Sequence, residues 1–134
     1  MGERKSIVYV VDDEKLIADT LAMILSQAGF IAFAFNDSLP ALNAANSAST
    51  PDLLISDVVM PGMSGIDLAI QFRKSYPECK VLLFSGQSTT ANLLEIAQAQ
   101  GYEFDILTKP IHPSDLLAKV QAFSVSGQVE KTGI

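Results

Sequence analysis

The sequence predicts an α/β fold, a doubly wound parallel sheet of five strands flanked by five helices. Three observations carry it. Short apolar runs alternate along the chain with stretches of helical period, the pattern of βαβ units. The runs are continuously apolar, as Ile7-Val8-Tyr9-Val10-Val11 and Leu53-Leu54-Ile55 show, which suits strands covered on both faces. Each of four runs ends in polar residues: Asp12-Asp13, Ser56-Asp57, Ser85-Gly86 and Thr108-Lys109. Parallel strands would bring those residues to one sheet edge, where open α/β sheets bind ligands.

The first strand covers residues 6–11. From Glu14 to Ala28 the period changes, and Leu16, Ile17, Leu21, Ile24, Leu25 and Ala28 mark one helical face. Gly29 offers a C-terminal stop. Phe30 to Phe35 alternates large and small residues, as expected of a strand near a sheet edge, with the phenylalanines in the core. Asn36-Asp37-Ser38 offers a cap for a short helix to about Asn46, with Leu39, Leu42 and Ala45 inward. The central strand spans Leu53 to about Ser56. Ser64-Gly65-Ile66-Asp67 reads as a capping box with aspartate in the acidic place. Its helix carries Leu68, Ala69 and Phe72 on one side and ends near Tyr76-Pro77. A strand over Lys80–Phe84, a helix over Thr89–Gln100 and a strand over Glu103–Leu107 follow. Pro113-Ser114-Asp115 starts the last helix, with Leu116, Leu117, Val120 and Phe123 inward. The expected division is a polar segment at 1–5, one domain at 6–123 and a flexible tail at 124–134.

Size and composition agree with one domain. The 134 residues are 49% hydrophobic and 18% charged, enough to bury a core and too apolar for a disordered chain. A net charge of −6 and the lack of a Lys/Arg cluster argue against a nucleic-acid partner. One cysteine, Cys79, rules out an intramolecular disulfide. No apolar run approaches the roughly 20 residues of a membrane span, and the polar start lacks a signal-peptide core. The expected location is cytoplasmic.

The predicted edge has its own chemistry. Asp12, Asp13 and Asp57 gathered together would repel one another unless a cation intervened. Mg²⁺ suits such a set, since it takes one or two carboxylates together with waters and phosphate oxygens. An Asp57 oxygen could then attack a phosphoryl group, as aspartate nucleophiles do, while Lys109 neutralises the transferring charge and the Ser85 hydroxyl donates to the product. Each piece alone has a plainer reading. Acids suit a helix N-terminus, Asp57 before Pro61-Gly62 could be turn chemistry, and Ser85-Gly86 and Lys109-Pro110 are common turn and boundary pairs. The ordered set, each piece at a strand end, is far more specific.

That set resembles the receiver domain of bacterial response regulators, of the chemotaxis-protein type. The likeness covers about residues 5–125. It rests on Val10-Val11-Asp12-Asp13-Glu14, Asp57-Val58-Val59-Met60-Pro61-Gly62-Met63-Ser64-Gly65, Phe84-Ser85-Gly86 and Leu107-Thr108-Lys109-Pro110. The resemblance implies a strand order 2-1-3-4-5. It implies that Asp57 accepts a phosphoryl group from a histidine kinase or phosphotransfer protein. Asp13, Asp57 and the Val59 carbonyl would hold Mg²⁺ directly, and Asp12 through water. Lys109, Ser85 and the Gly86 backbone would bind the phosphoryl group, with Ser85 as the switch hydroxyl. The Lys109–Pro110 bond is expected to be cis. The chain is expected to act as a stand-alone receiver with no output domain, offering a switched surface to a downstream protein, and to accept a phosphoryl group rather than turn over a substrate. Pairing into a homodimer near the fourth and fifth helices also fits the family.

The sequence departs from the family in one place. Three positions before the lysine the family often has an aromatic residue that rotates with the switch; here it is Ile106, with Phe104 on the same side of the strand as a substitute. Val59 and Gln87 flank the site at positions that, in the family it resembles, influence dephosphorylation. Two other readings stay open: an interaction module that works without phosphorylation, and an aspartyl-nucleophile phosphatase. The second would carry an acid two residues after the nucleophile, where this chain has Val59. A flavodoxin-like nucleotide binder lacks support, because no Gly-rich phosphate loop follows the first strand. His112 and Cys79 are read as a surface loop residue and a quiet thiol.

Overall fold

The computed structural model describes residues 5–47, 49–86 and 90–132, and the side chains of these except at 90–94 and 124–132. The elements run β1 (Ile7–Val11), α1 (Lys15–Gln27), β2 (Ile31–Phe35), α2 (Ser38–Ser47), β3 (Leu53–Asp57), α3 (Gly65–Ser75), β4 (Lys80–Ser85), α4 (Thr90–Ala99), β5 (Asp105–Thr108) and α5 (Pro113–Thr132). The five strands form one sheet in the order β2-β1-β3-β4-β5, and every adjacent pair is parallel.

Strand alternation divides the core into two clusters. Tyr9, Val11, Leu54, Val81 and Leu83 face α2, α3 and α4, where Ala41, Ala45, Ile66, Phe72 and Ala97 meet them. Val8, Val10, Leu53, Ile55, Leu82 and Phe84 face α1 and α5, where Ala18, Leu21, Leu25, Leu116 and Val120 meet them. Helices on both faces explain why β1, β3 and β4 read as unbroken apolar runs.

Local signals set the helix ends. The Ser64 hydroxyl accepts from the Asp67 N–H at 3.1 Å, and Asp67 lies in the first turn of α3. Gly29 takes a positive φ of 102° after α1, and the Phe30 N–H reaches back to the Leu25 carbonyl at 3.0 Å. The Leu116 N–H bonds the His112 carbonyl, so exposed His112 serves the start of α5 through its backbone. The α5 backbone stays helical past Phe123, where the sequence pattern placed its end, through to Thr132. A single interior glycine, Gly127, disfavours a helix by about 1 kcal/mol and need not stop it.

Four inward assignments are corrected, the first being Ala28, exposed at the end of α1 where the helix gives way to Gly29. Leu16 is 78% exposed, because Ala18, Leu21, Ala22 and Leu25 set the buried face and two residues turn a helix by roughly 200°. Leu39 is exposed while Ser38, Ala41 and Ala45 are buried in α2. Phe33 is 47% exposed on β2, which among the described residues pairs with β1 alone. Its ring meets Tyr9 edge-on with centroids 6.0 Å apart, so one side packs and the other faces solvent. Ile31, on the same side of this margin strand, is also exposed.

Candidate functional site

Strand register builds the site. The chain leaves β1 for β2 on one side and returns to β3 on the other, so the order reverses between β1 and β3. Val11 pairs with Ser56; one step further along, Asp12 and Asp57 end neighbouring strands. Asp57 pairs with Phe84, and Ser85 with Thr108, so Ser85, Gly86 and Lys109 arrive at the same edge. The Lys109 N–H donates to the Ser85 carbonyl at 2.9 Å. The Lys109 stem runs past Gly86, where an added Cβ would sit 3.2 Å from the Lys109 Cβ. The Lys109–Pro110 peptide is cis.

Asp12 has no exposed surface and Asp57 is 8% exposed, whereas Asp13 is exposed. Each of the three offers a carboxylate oxygen within 4.8 Å of the others. Lys109 Nζ donates to Asp57 Oδ2 at 3.0 Å and lies 3.7 Å from Asp12 Oδ2. Asp12 Oδ1 accepts from the Glu14 N–H at 2.9 Å, but its buried Oδ2 has no hydrogen-bond partner among the described residues. Among the described residues, three clustered carboxylates thus have one ammonium, held by two of them, and one of their buried oxygens is unsatisfied. An oxygen-liganded divalent cation fits this set, because it would neutralise the surplus charge and engage the orphaned oxygen.

Titration follows the geometry. Burial pushes the Asp12 carboxyl up, and the charges of Asp57 and Asp13 add to this; the Glu14 N–H and Lys109 oppose it without cancelling it. Burial acts to lower Lys109, but its hydrogen bond to Asp57 and the charges of Asp57, Asp12 and Glu14 outweigh that and raise it. An acid whose folded pKa is raised binds more protons folded than unfolded. Its penalty is full above the folded pKa and is relieved as pH falls. In chelated protein at pH 7, Asp12→Asn, which keeps an oxygen for the Glu14 N–H, is expected to be more stable than the unsubstituted chain. That advantage should shrink on acidification through the raised Asp12 pKa, as urea unfolding over pH would show.

The remaining candidates separate. Val59, two residues after Asp57, is 48% exposed. Ile106 and Phe104 are half-buried and pack on the same core cluster. Phe104 lies parallel to Tyr102, with 3° between the rings, and beneath the Arg73 guanidinium, 5.3 Å from its centroid. Gln87 lies outside the described residues. Cys79 is buried, and burial pushes its thiol up to about 12. It is expected to resist iodoacetamide at pH 8 in the folded protein and to react fully in urea, as read by intact mass.

Sequence reasoning missed two structural contributors. Gly65 enters the sequence reading through a capping box and the resemblance stretch, with no sign of the close approach by which a Cβ there would lie 1.8 Å from the Asp57 carbonyl oxygen. Asn36 and Ser38 had been read only as a cap, yet both bond the loops that carry the acids. The local sequence held no signal for either contact, because the partners are distant in the chain.

A family model described as the response regulator receiver domain matches residues 8–121. The transcriptional regulatory protein CreB of Escherichia coli (strain K12) is 34% identical over 121 residues, covering 88% of this chain and 50% of CreB. The DNA-binding transcriptional regulator NtrC of the same organism is 35% identical over 118 residues, covering 88% of this chain and 24% of NtrC. The chain therefore spans half or less of these curated relatives. Among solved structures, the chemotaxis protein CheY4 of Vibrio cholerae superposes with a TM-score of 0.76 at 28% identity, covering 90% of this chain and 99% of that one. Among the described residues, no helix is long and apolar enough to cross a membrane.

Proposed function

Because this chain belongs to the response regulator receiver domains of two-component signalling, we propose that Asp57 is its phosphoryl acceptor and that phosphorylation switches a protein-binding surface. One observation carries the reading. The central strand ends in a carboxylate that is nearly buried, grouped with two further acids and hydrogen-bonded to Lys109.

An Asp57 oxygen attacks the phosphorus of the donor. The bond from phosphorus to the donor's nitrogen or oxygen breaks, and the leaving atom keeps the electron pair and takes a proton. Lys109, whose pKa is raised, stays charged and balances the phosphoryl oxygens. The Ser85 hydroxyl and the Gly86 N–H bind the product. Asp12, Asp13, Asp57 and the Val59 carbonyl would hold Mg²⁺, which when bound supplies charge neutralisation at the transferring group. The donor is a histidine kinase or phosphotransfer protein, and the recipient of the signal is a downstream protein. With Ile106 in place of an aromatic residue, Phe104 is the side chain that couples the site to the neighbouring surface.

The test is intact mass after incubation with acetyl phosphate, with Mg²⁺ and with chelator. The expected result is a gain of one phosphoryl group that requires the metal and maps to the peptide containing Asp57. Metal binding without any uptake, from acetyl phosphate or from histidine-phosphorylated donors, would overturn the reading and leave an interaction module that works without phosphorylation.

A further inference from the structure

The corner between β2 and α2 carries none of the site's acids, yet it bonds both loops that do. The Phe35 carbonyl accepts from the Asp12 N–H at 3.0 Å. The Asn36 side-chain amide donates to the Asp12 carbonyl at 3.3 Å. Two residues on, Ser38 is 1% exposed, and its hydroxyl donates to the Met63 carbonyl at 3.1 Å. Met63 lies in the loop that leaves Asp57 and enters α3. One short segment therefore grips the backbone after β1 and the backbone after β3. A serine hydroxyl buried in the first turn of a helix is otherwise a poor choice for packing, since alanine would fill the place without a polar group to satisfy.

We propose that Asn36 and Ser38 act as a clasp that fixes the separation of the Asp12–Asp13 loop and the Asp57–Met63 loop, and so sets the affinity of the acid cluster for its divalent cation. They are positioning residues. Neither belongs to the acid cluster; each acts through a backbone carbonyl of a loop that carries the acids. The residues that orient metal ligands typically change metal affinity by about 10–100-fold when removed, and a clasp that acts through backbone belongs at the lower end of that range. The inference rests on the reading of the acid cluster as a cation site.

The experiment is an NMR titration of the chelated, exchanged protein with MgCl₂, following backbone amide shifts, on the unsubstituted chain, Asn36→Ala, Ser38→Ala and the double variant. Tyr9→Phe serves as a control. It removes the hydroxyl bond to the Ser49 carbonyl at 2.6 Å, which ties β1 to the α2–β3 connection away from the acids. The expected result is a Kd for Mg²⁺ raised about tenfold in the double variant and by a smaller factor in each single one, with Tyr9→Phe unchanged. The amide spectrum itself reports folding, and exposed Asn36 gives a variant that keeps the test alive should Ser38→Ala unfold. Equal affinities in folded variants and parent would overturn the clasp while leaving the cation site intact. No saturable shift in the parent chain would overturn the cation site itself.

Discussion

Asp57→Asn is expected to take up no phosphoryl group from acetyl phosphate with Mg²⁺, a fall in rate of at least about a thousandfold, as expected when an essential nucleophile is removed. The amide has no anionic oxygen to attack with. The neighbouring acids are poorly placed to replace it. Asp12 is fully buried, with one oxygen held by the Glu14 N–H. Asp13 is exposed, and the Lys109 contacts run to Asp57 and Asp12. The substitution is nearly isosteric and keeps an oxygen for Lys109 Nζ, which now bonds Asp57 at 3.0 Å. It also removes one of three crowded negative charges. The metal-free variant should therefore stay folded with an undiminished thermal midpoint, so that lost uptake reports chemistry. Uptake at the parent rate, measured by intact mass, would move the acceptor elsewhere.

Gly65→Ala should lower stability by about 3 kcal/mol or more, or prevent folding. Its Cβ would lie 1.8 Å from the Asp57 carbonyl oxygen, 2.8 Å from the Asp57 carbonyl carbon and 2.9 Å from Ser56 Oγ. Two of those atoms are backbone of the fully buried strand β3 and have no free volume to move into. Relief requires the start of α3 to withdraw, which breaks the bond from the Gly65 N–H to the Val58 carbonyl at 2.9 Å and drags the Asp57–Ser64 connection with it. The loss is a large part of the 5–15 kcal/mol that holds a typical domain together, and should lower the thermal midpoint by about 10 °C. Gly86→Ala is the contrast. Its Cβ meets the Lys109 side chain at 3.2 Å, and a flexible stem can yield, so its effect on the midpoint should be far smaller. Similar midpoints for the two variants, by thermal unfolding, would refute the close-approach argument.

The legible part of this protein was its strand pattern. β1, β3 and β4 show in the sequence because both their faces are covered, and the polar residue that ends each one shows against that apolar background. Strand order did not follow from composition or period; it came with the family resemblance. Helix faces were legible only in part. Faces were read mainly from large residues, yet α1 and α2 also turn Ala18, Ala22 and Ala41 to the core and leave Leu16 and Leu39 outside. Small residues let a helix settle close to the strands, and a count of bulky side chains overlooks them. The pairing of Lys109 with Asp57 spans 52 residues and that of Ser38 with Met63 spans 25. The first was legible because both residues end parallel strands; the second was not, because neither Ser38 nor Met63 ends a strand and local pattern carries no record of it.

The margin strand β2 bears on how the molecules behave toward one another. Its sequence, Ile-Ala-Phe-Ala-Phe, contains no charge and no proline, the usual devices that keep an incoming backbone from docking on an open strand. Ile31 and Phe33 add apolar surface at that border. Protection from self-association then falls to the whole-molecule charge of −6, a long-range repulsion that ordinary salt weakens beyond about 10 Å at 0.1 M. Colloidal stability in this protein is thus expected to depend on the solvent as much as on the fold, with salt weakening the repulsion that guards the β2 border.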